Sequence, residues 1–108
     1  MNTEESYDGY MSIVGDDARW ENRLTSRVFI KLMFYNPILK AKKVKAPVLV
    51  MAGSQDSLVP LAAVQQCAAR LRKGELIVMD CNHFAPYTGE TFLTFIDKQE
   101  EFLVKHLF

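Results

Sequence analysis

Apolar and polar positions along the chain fall into blocks, and the spacing within each block predicts a structural element. Residues 1–16 are a mostly polar N-terminal segment, and we expect its first positions to be poorly ordered. Over residues 17–35, apolar side chains recur every three or four positions, which predicts an amphipathic helix. These side chains are Trp20, Leu24, Val28, Leu32 and Tyr35. A proline at position 37 ends the helix, and the basic residues 40–45 form a connector.

The pattern of the remaining residues predicts a βαβ unit followed by a helix. Residues 47–52 form an unbroken apolar run, which is typical of a strand buried on both faces. A helix of about twelve residues is predicted to begin at Pro60, a second strand covers residues 75–79, and a final amphipathic helix covers residues 91–107. Strands joined by a helix in this way should be parallel, with a right-handed crossover. The predicted fold class is therefore α/β, in the order helix, strand, helix, strand, helix.

Composition and charge narrow the classes of function. The 108 residues allow one domain at most, and 13 basic residues balance 13 acidic ones. A neutral chain argues against a nucleic-acid partner, because phosphate recognition needs a basic surface. Cys67 and Cys81 belong to no CxxC or Cys/His cluster, so no metal site is predicted. Two free thiols are favoured, with one disulfide as the alternative.

The chain shows no pattern that would place it in or across a membrane. Its first six residues lack the basic and apolar regions of a signal peptide. The longest apolar stretch, residues 28–35, is interrupted by Lys31 and is too short to span a bilayer. We therefore expect a cytoplasmic protein with no membrane partner.

An ionisable residue follows each predicted strand. Asp56 lies in the loop 53–60, and His83 lies in the loop 80–84. The carboxyl ends of parallel strands meet at one edge of a sheet, where catalytic groups collect. A carboxylate placed there can fix the tautomer of an imidazole and stabilise its charged form, while the other ring nitrogen takes a proton from a nucleophile. Asp56 and His83 are therefore the predicted catalytic residues.

The same two loops resemble motifs of the α/β-hydrolase family. Residues 46–60 (APVLVMAGSQDSLVP) resemble its penultimate core strand and acid loop, and residues 76–84 (LIVMDCNHF) resemble its last core strand and histidine loop. The resemblance implies that Asp56 is the triad acid and His83 the triad base. It also implies that residues 17–45 are the end of a cap region with its connector, and residues 46–108 the C-terminal βαβα part of the core. No cofactor is implied, since such hydrolases need none.

The sequence departs from this family at the nucleophile. The family places its serine on a sharp turn with the pattern G-x-S-x-G, and the chain contains no such motif. Residues 53–57 include two serines but lack the second glycine. In the family the nucleophile precedes the acid and the histidine. We therefore expect a truncated piece of a longer hydrolase, nearly inactive alone, or a short gene product that folds by other means.

Each candidate residue also has an alternative interpretation. Asp56 could be a turn residue that binds nearby backbone amides, and His83 could be a surface loop histidine. Asp80 is a second candidate for the acid, and Cys81 is a disfavoured candidate nucleophile. A pair that merely activates water is a third, disfavoured possibility.

Two functions follow from this pattern. The first is the acid and histidine part of a serine-type hydrolase of esters, amides or related small molecules, with an unknown substrate. The second is a non-catalytic, self-associating α/β binding module derived from a hydrolase. Because a two-stranded sheet is rarely stable alone, we expect a homodimer or larger oligomer. It would bury the edge of strand 47–52 and the apolar face of residues 20–35, thereby extending the sheet.

Overall fold

The computed structural model describes residues 4–15, 19, 23 and 25–108. These residues fall into two compact units, Met1–Lys40 and Ala41–Phe108. The first unit contains the helices α1 (Glu4–Ile13) and α2 (Ser26–Phe34), and a 3₁₀ helix (Pro37–Lys43) follows. The second unit contains the strand β1 (Val48–Gly53), the helix α3 (Leu61–Arg70), the strand β2 (Gly74–Met79), a short 3₁₀ helix (Ala85–Tyr87) and the helix α4 (Gly89–Leu107).

The first unit corrects two expectations. Helix α1 occupies most of the polar N-terminal segment, where no helix was predicted. Its apolar side chains recur at helical spacing among the acidic ones, at Tyr7, Tyr10 and Met11. Helix α2 ends close to the predicted position but begins only at Ser26. Trp20 and Leu24, which were assigned to this helix, lie outside the described residues.

The second unit is built on a parallel pair of strands, so the broad α/β class is confirmed. β1 pairs with β2 in a register that places Val48 opposite Gly74 and Gly53 opposite Met79. Helix α3 connects the strands and contacts both of them. The buried side chains of this unit are few and come from several elements, namely Ala41, Ala52, Ala68, Cys81, Phe84 and Phe95.

Strand β1 is less buried than its sequence predicted. Its first four residues are half-buried, and only Ala52 and Gly53 are buried. The reason is that the sheet in the described part of the chain has two strands, so each strand has one hydrogen-bonded neighbour. Strand β2 alternates between exposed and half-buried residues, as expected for a strand that packs on one face.

The two loops leave the sheet side by side. The Ser54 amide donates to the Met79 carbonyl at 2.8 Å, and the Gln55 amide donates to the Cys81 carbonyl at 3.1 Å. These bonds continue the pairing beyond the last residues of both strands. The position just before Ser54 must be glycine, because a β-carbon on Gly53 would collide with the Cys81 carbonyl oxygen. This close approach sets the two candidate loops next to each other.

Helix α4 begins two residues earlier than predicted. Gly89 adopts a φ of 68°, a conformation that favours glycine, and the helix continues from there to Leu107. Near its other end, Lys105 Nζ and His106 Nε2 lie 2.6 and 3.1 Å from Glu75 Oε1. The end of α4 is thereby tied to the start of β2. None of the helices among the described residues combines the length and apolar character needed to cross a bilayer.

Candidate active site

Asp56 and His83, the two residues singled out in the sequence, meet at the carboxyl edge of the sheet. His83 Nδ1 lies 2.8 Å from Asp56 Oδ2. A carboxylate can only accept a hydrogen bond, so the proton belongs on Nδ1, and Nε2 keeps its lone pair. The pair therefore has the arrangement of an orienting acid and a base. Their catalytic role stays a prediction.

The two oxygens of Asp56 have different partners. While Oδ2 faces His83, Oδ1 accepts hydrogen bonds from the backbone amides of Leu58 and Val59, both at 2.8 Å. Asp56 therefore makes the backbone contacts of a turn residue with one oxygen and contacts the imidazole with the other. The turn fixes the carboxyl plane, and the fixed plane directs the second oxygen at the imidazole.

The environment of Asp56 favours its charged form. Burial raises the pKa of this carboxyl, but hydrogen bonds from the Val59 amide, from His83 and from the Leu58 amide outweigh that effect, so the pKa is lowered. Only 13% of the Asp56 side chain and 28% of the His83 side chain are accessible to solvent. Asp56 is therefore a partly shielded carboxylate at neutral pH, as an acid that stabilises an imidazolium must be.

The histidine loop is held by a residue that the sequence reasoning did not single out. Asn82 Oδ1 accepts hydrogen bonds from the amides of Phe84 and Ala85, at 3.1 and 2.9 Å. The Phe84 ring is buried and meets the His83 ring edge-on, with 5.0 Å between the ring centroids. An asparagine just before a short turn is a known signal for such backbone capping, and it would have identified Asn82.

An open cavity of about 480 Å³ lies beside the pair. Asp56 and His83 both line it, and most of the other lining side chains are apolar. They include Met51, Val59, Val64, Phe92, Phe95 and Ile96. A small organic molecule in this cavity would contact the imidazole directly, which fits the general form of ligand sites: an apolar lining with a few polar groups.

Asp80, the second candidate acid, and Cys81, the disfavoured candidate nucleophile, have other surroundings. Asp80 does not hold the imidazole. Its Oδ1 accepts hydrogen bonds from the Ser54 hydroxyl at 2.7 Å and from the Gln55 side-chain amide at 2.8 Å, and both bonds lower the pKa of Asp80. The Cys81 thiol is free and buried, and burial raises its pKa, as do the charges of Asp80 and Asp56. A thiol of this kind is a poor nucleophile.

Both cysteines are free thiols, as the sequence favoured, and Cys67 is half-buried whereas Cys81 is buried. In the part of the chain that the structure describes, no three His, Cys, Asp or Glu side chains are grouped so that they could hold a metal ion.

Comparison with known proteins gives one partial likeness. No protein-family model matches the chain, and no solved structure matches it significantly. The chain is 27% identical over 103 residues to the quorum-quenching protein AidA of Acinetobacter baumannii (strain MDR-ZJ06). The match covers 95% of this chain and 34% of that protein, so the chain spans about a third of the length of this relative. The α/β-hydrolase resemblance stays a prediction.

The different partners of the Asp56 oxygens predict that Asp56→Asn will reverse the tautomer of His83. The amides of Leu58 and Val59 hold the oxygen of the new side chain, so its NH₂ group must face His83 Nδ1. Nδ1 then has to accept, and the proton moves to Nε2. Long-range ¹H–¹⁵N spectra at a pH where both histidines are neutral report the tautomer.

The chain has two histidines, so His106→Gln assigns the His83 signals. Asp97→Asn, which changes an exposed carboxylate of α4, is the matched control and should leave the Nδ1–H form unchanged. A His83 ring that keeps its proton on Nδ1 after Asp56→Asn would contradict the hydrogen-bond arrangement described here.

Proposed function

We propose that the chain supplies the acid and the base of a serine-type α/β-hydrolase site that acts on an ester, amide or related bond. The observation that carries this proposal is the 2.8 Å contact between His83 Nδ1 and Asp56 Oδ2 at the carboxyl edge of a parallel strand pair. The apolar cavity next to the imidazole supports it further, because a substrate there would lie within reach of His83.

In the proposed mechanism, His83 Nε2 takes the proton of a hydroxyl nucleophile as that oxygen attacks the substrate carbonyl. The Asp56 carboxylate stabilises the imidazolium that forms. The proton then passes from Nε2 to the leaving group as its bond to the carbonyl carbon breaks. A water molecule repeats the sequence and releases the acid product.

The nucleophile is not identified in this chain. Its sequence contains no G-x-S-x-G motif. Removing the nucleophile from a triad leaves only the small acceleration that the oxyanion donors and substrate binding provide. We therefore propose that the chain alone has almost no hydrolytic turnover.

The likeness to the quorum-quenching protein AidA supports a proposal about the biological process that the hydrolysis serves. That relative matches nearly the whole chain, including both candidate loops, since the match covers 95% of it. We propose on this basis that the hydrolytic chemistry serves quorum quenching.

The first test is a panel of short-chain activated esters and amides with the purified chain. We expect hydrolysis by the wild type to equal that of His83→Ala, because the base has no identified nucleophile to activate. His106→Ala is the matched control, since this second histidine lies at the far end of α4 beside Glu75. Turnover that His83→Ala abolishes and His106→Ala retains would contradict the proposed inactivity and would indicate a nucleophile within this chain, such as Ser57, Cys81 or an activated water.

A second candidate function, self-association as a binding module, rests on an apolar surface. Helix α2 and the residue after it expose large apolar side chains, with Met33 at 82% and Phe34 at 84% accessible. Phe29, Ile30 and Tyr35 are exposed as well. Large contiguous apolar patches on a protein surface usually mark an interaction site. The free edge of β1 offers backbone hydrogen-bonding groups to a second copy in the same way.

We propose that two copies associate through α2 and the β1 edge, and the oligomeric state tests this. Light scattering coupled to size exclusion should give the mass of a dimer or larger species for the wild type. Replacing Met33 and Phe34 together by lysine should shift it to the monomer, because both side chains are exposed and their loss leaves the packed core intact. Ser26→Lys adds charge at an exposed polar position of α2 and should leave the oligomeric state unchanged. A wild type that is monomeric throughout would refute the proposal.

A further inference from the structure

Asp80 joins the two loops that carry the candidate pair. It follows the last residue of β2, and its carboxylate is exposed. One of its oxygens, Oδ1, accepts both the Ser54 hydroxyl at 2.7 Å and the Gln55 side-chain amide at 2.8 Å. These two donors immediately precede Asp56 in the acid loop, whereas Asp80 precedes His83 by three residues. The side-chain hydrogen bonds from Ser54 and Gln55 to Asp80 therefore form a bridge between the acid loop and the histidine loop.

This bridge has a geometric consequence for Asp56. Consecutive residues of an extended chain point their side chains to opposite sides. Ser54 and Gln55 are consecutive, yet both side chains reach the same oxygen atom. The chain must therefore turn at these two residues, and the structure has a turn there. The turn brings the next residue, Asp56, over the histidine loop.

Backbone hydrogen bonds also connect the two loops at this turn. The Ser54 amide bonds to the Met79 carbonyl and the Gln55 amide bonds to the Cys81 carbonyl. Those two bonds fix the distance between the loops. The two side-chain hydrogen bonds to Asp80 Oδ1 also constrain the orientation of the acid loop where it leaves β1. The same two hydrogen bonds lower the pKa of the Asp80 carboxyl.

We infer that Asp80 is a positioning residue: by binding Ser54 and Gln55 it fixes the turn that aims Asp56 Oδ2 at His83 Nδ1. The functional meaning of this inference rests on the proposed function, in which that pair is the acid and base. The positional claim does not depend on it, because the tautomer of His83 reports the contact whether or not the chain is active.

The test is the His83 tautomer in the full chain, read by long-range ¹H–¹⁵N spectra of histidine-labelled protein above the pH at which the imidazole titrates. In Asp80→Ala, the ratio of the Nδ1–H to the Nε2–H form should fall by about fivefold, the effect of weakening one net hydrogen bond of ordinary strength. Asp80→Asn should keep the wild-type ratio, because the oxygen of an amide still accepts from both donors.

The matched control lies at the other end of the same strand. Glu75 likewise accepts two hydrogen bonds on one carboxyl oxygen, from Lys105 and His106, but it has no contact with the acid loop among the interactions described. Glu75→Gln should leave the His83 ratio unchanged even if it lowers the midpoint of urea unfolding. If Asp80→Ala does not fold, the double substitution Ser54→Ala with Gln55→Ala removes the donors instead and should produce the same fall.

Two results would overturn the inference. If neither Asp80→Ala nor the double substitution changes the ratio, the backbone bonds suffice to direct Asp56. If Asp80→Asn lowers the ratio as much as Asp80→Ala, the charge of Asp80 acts on the imidazole and the turn is not involved. In the first case, a ratio that still responds to Asp56→Asn leaves the proposed function of the pair standing.

Discussion

The parallel register of β1 and β2 is the constraint on which the candidate site depends. Gly53 lies opposite Met79, so both strands end at the same level and both loops begin at one edge. A shift of the pairing would move Asp56 along the edge relative to His83 and separate the two side chains. The close approach of Gly53 to the Cys81 carbonyl resists such a shift, because it brings one loop's backbone against the other at a single position.

Above that edge, contacts within each loop and one contact between the loops build the site. Asp56 caps its own turn with one oxygen and binds His83 with the other. Asn82 caps the turn after His83, and Phe84, whose amide it binds, packs its ring against the imidazole. The local hydrogen bonds stabilise the loops, and the stable loops give the imidazole one orientation. A general base needs a single orientation of this kind, since proton transfer requires a defined geometry.

Much of this arrangement could be predicted from the sequence because short patterns determine it. The apolar run that became β1, the Pro60 boundary and the helical spacing of α3 and α4 all depend on neighbouring residues, and so does the juxtaposition of Asp56 and His83 once the strands are parallel. The burial of β1 could not be predicted in this way. An apolar run shows what a strand prefers, whereas burial depends on how many strands flank it.

Other features were missed for a different reason. Helix α1 is encoded by apolar spacing within an acidic segment, where the charges dominate the composition. The partners of Asp80 lie 25 and 26 positions away, so no local pattern indicates that the Ser54 and Gln55 side chains would converge on its carboxyl. Asp80 looked like a second candidate acid from the sequence because only the folded arrangement shows which carboxylate faces the imidazole.

Asp56 and His83 are proposed to act as the acid and base of a hydrolase site. The most direct measurement is a chimera in which this chain replaces the matching third of the quorum-quenching protein AidA, assayed for quenching of a quorum-sensing reporter. A soluble chimera should retain measurable quenching, which Asp56→Asn and His83→Ala should each reduce by about a hundredfold or more while His106→Ala leaves it intact. Quenching by the chimera that survives both Asp56→Asn and His83→Ala would contradict the account.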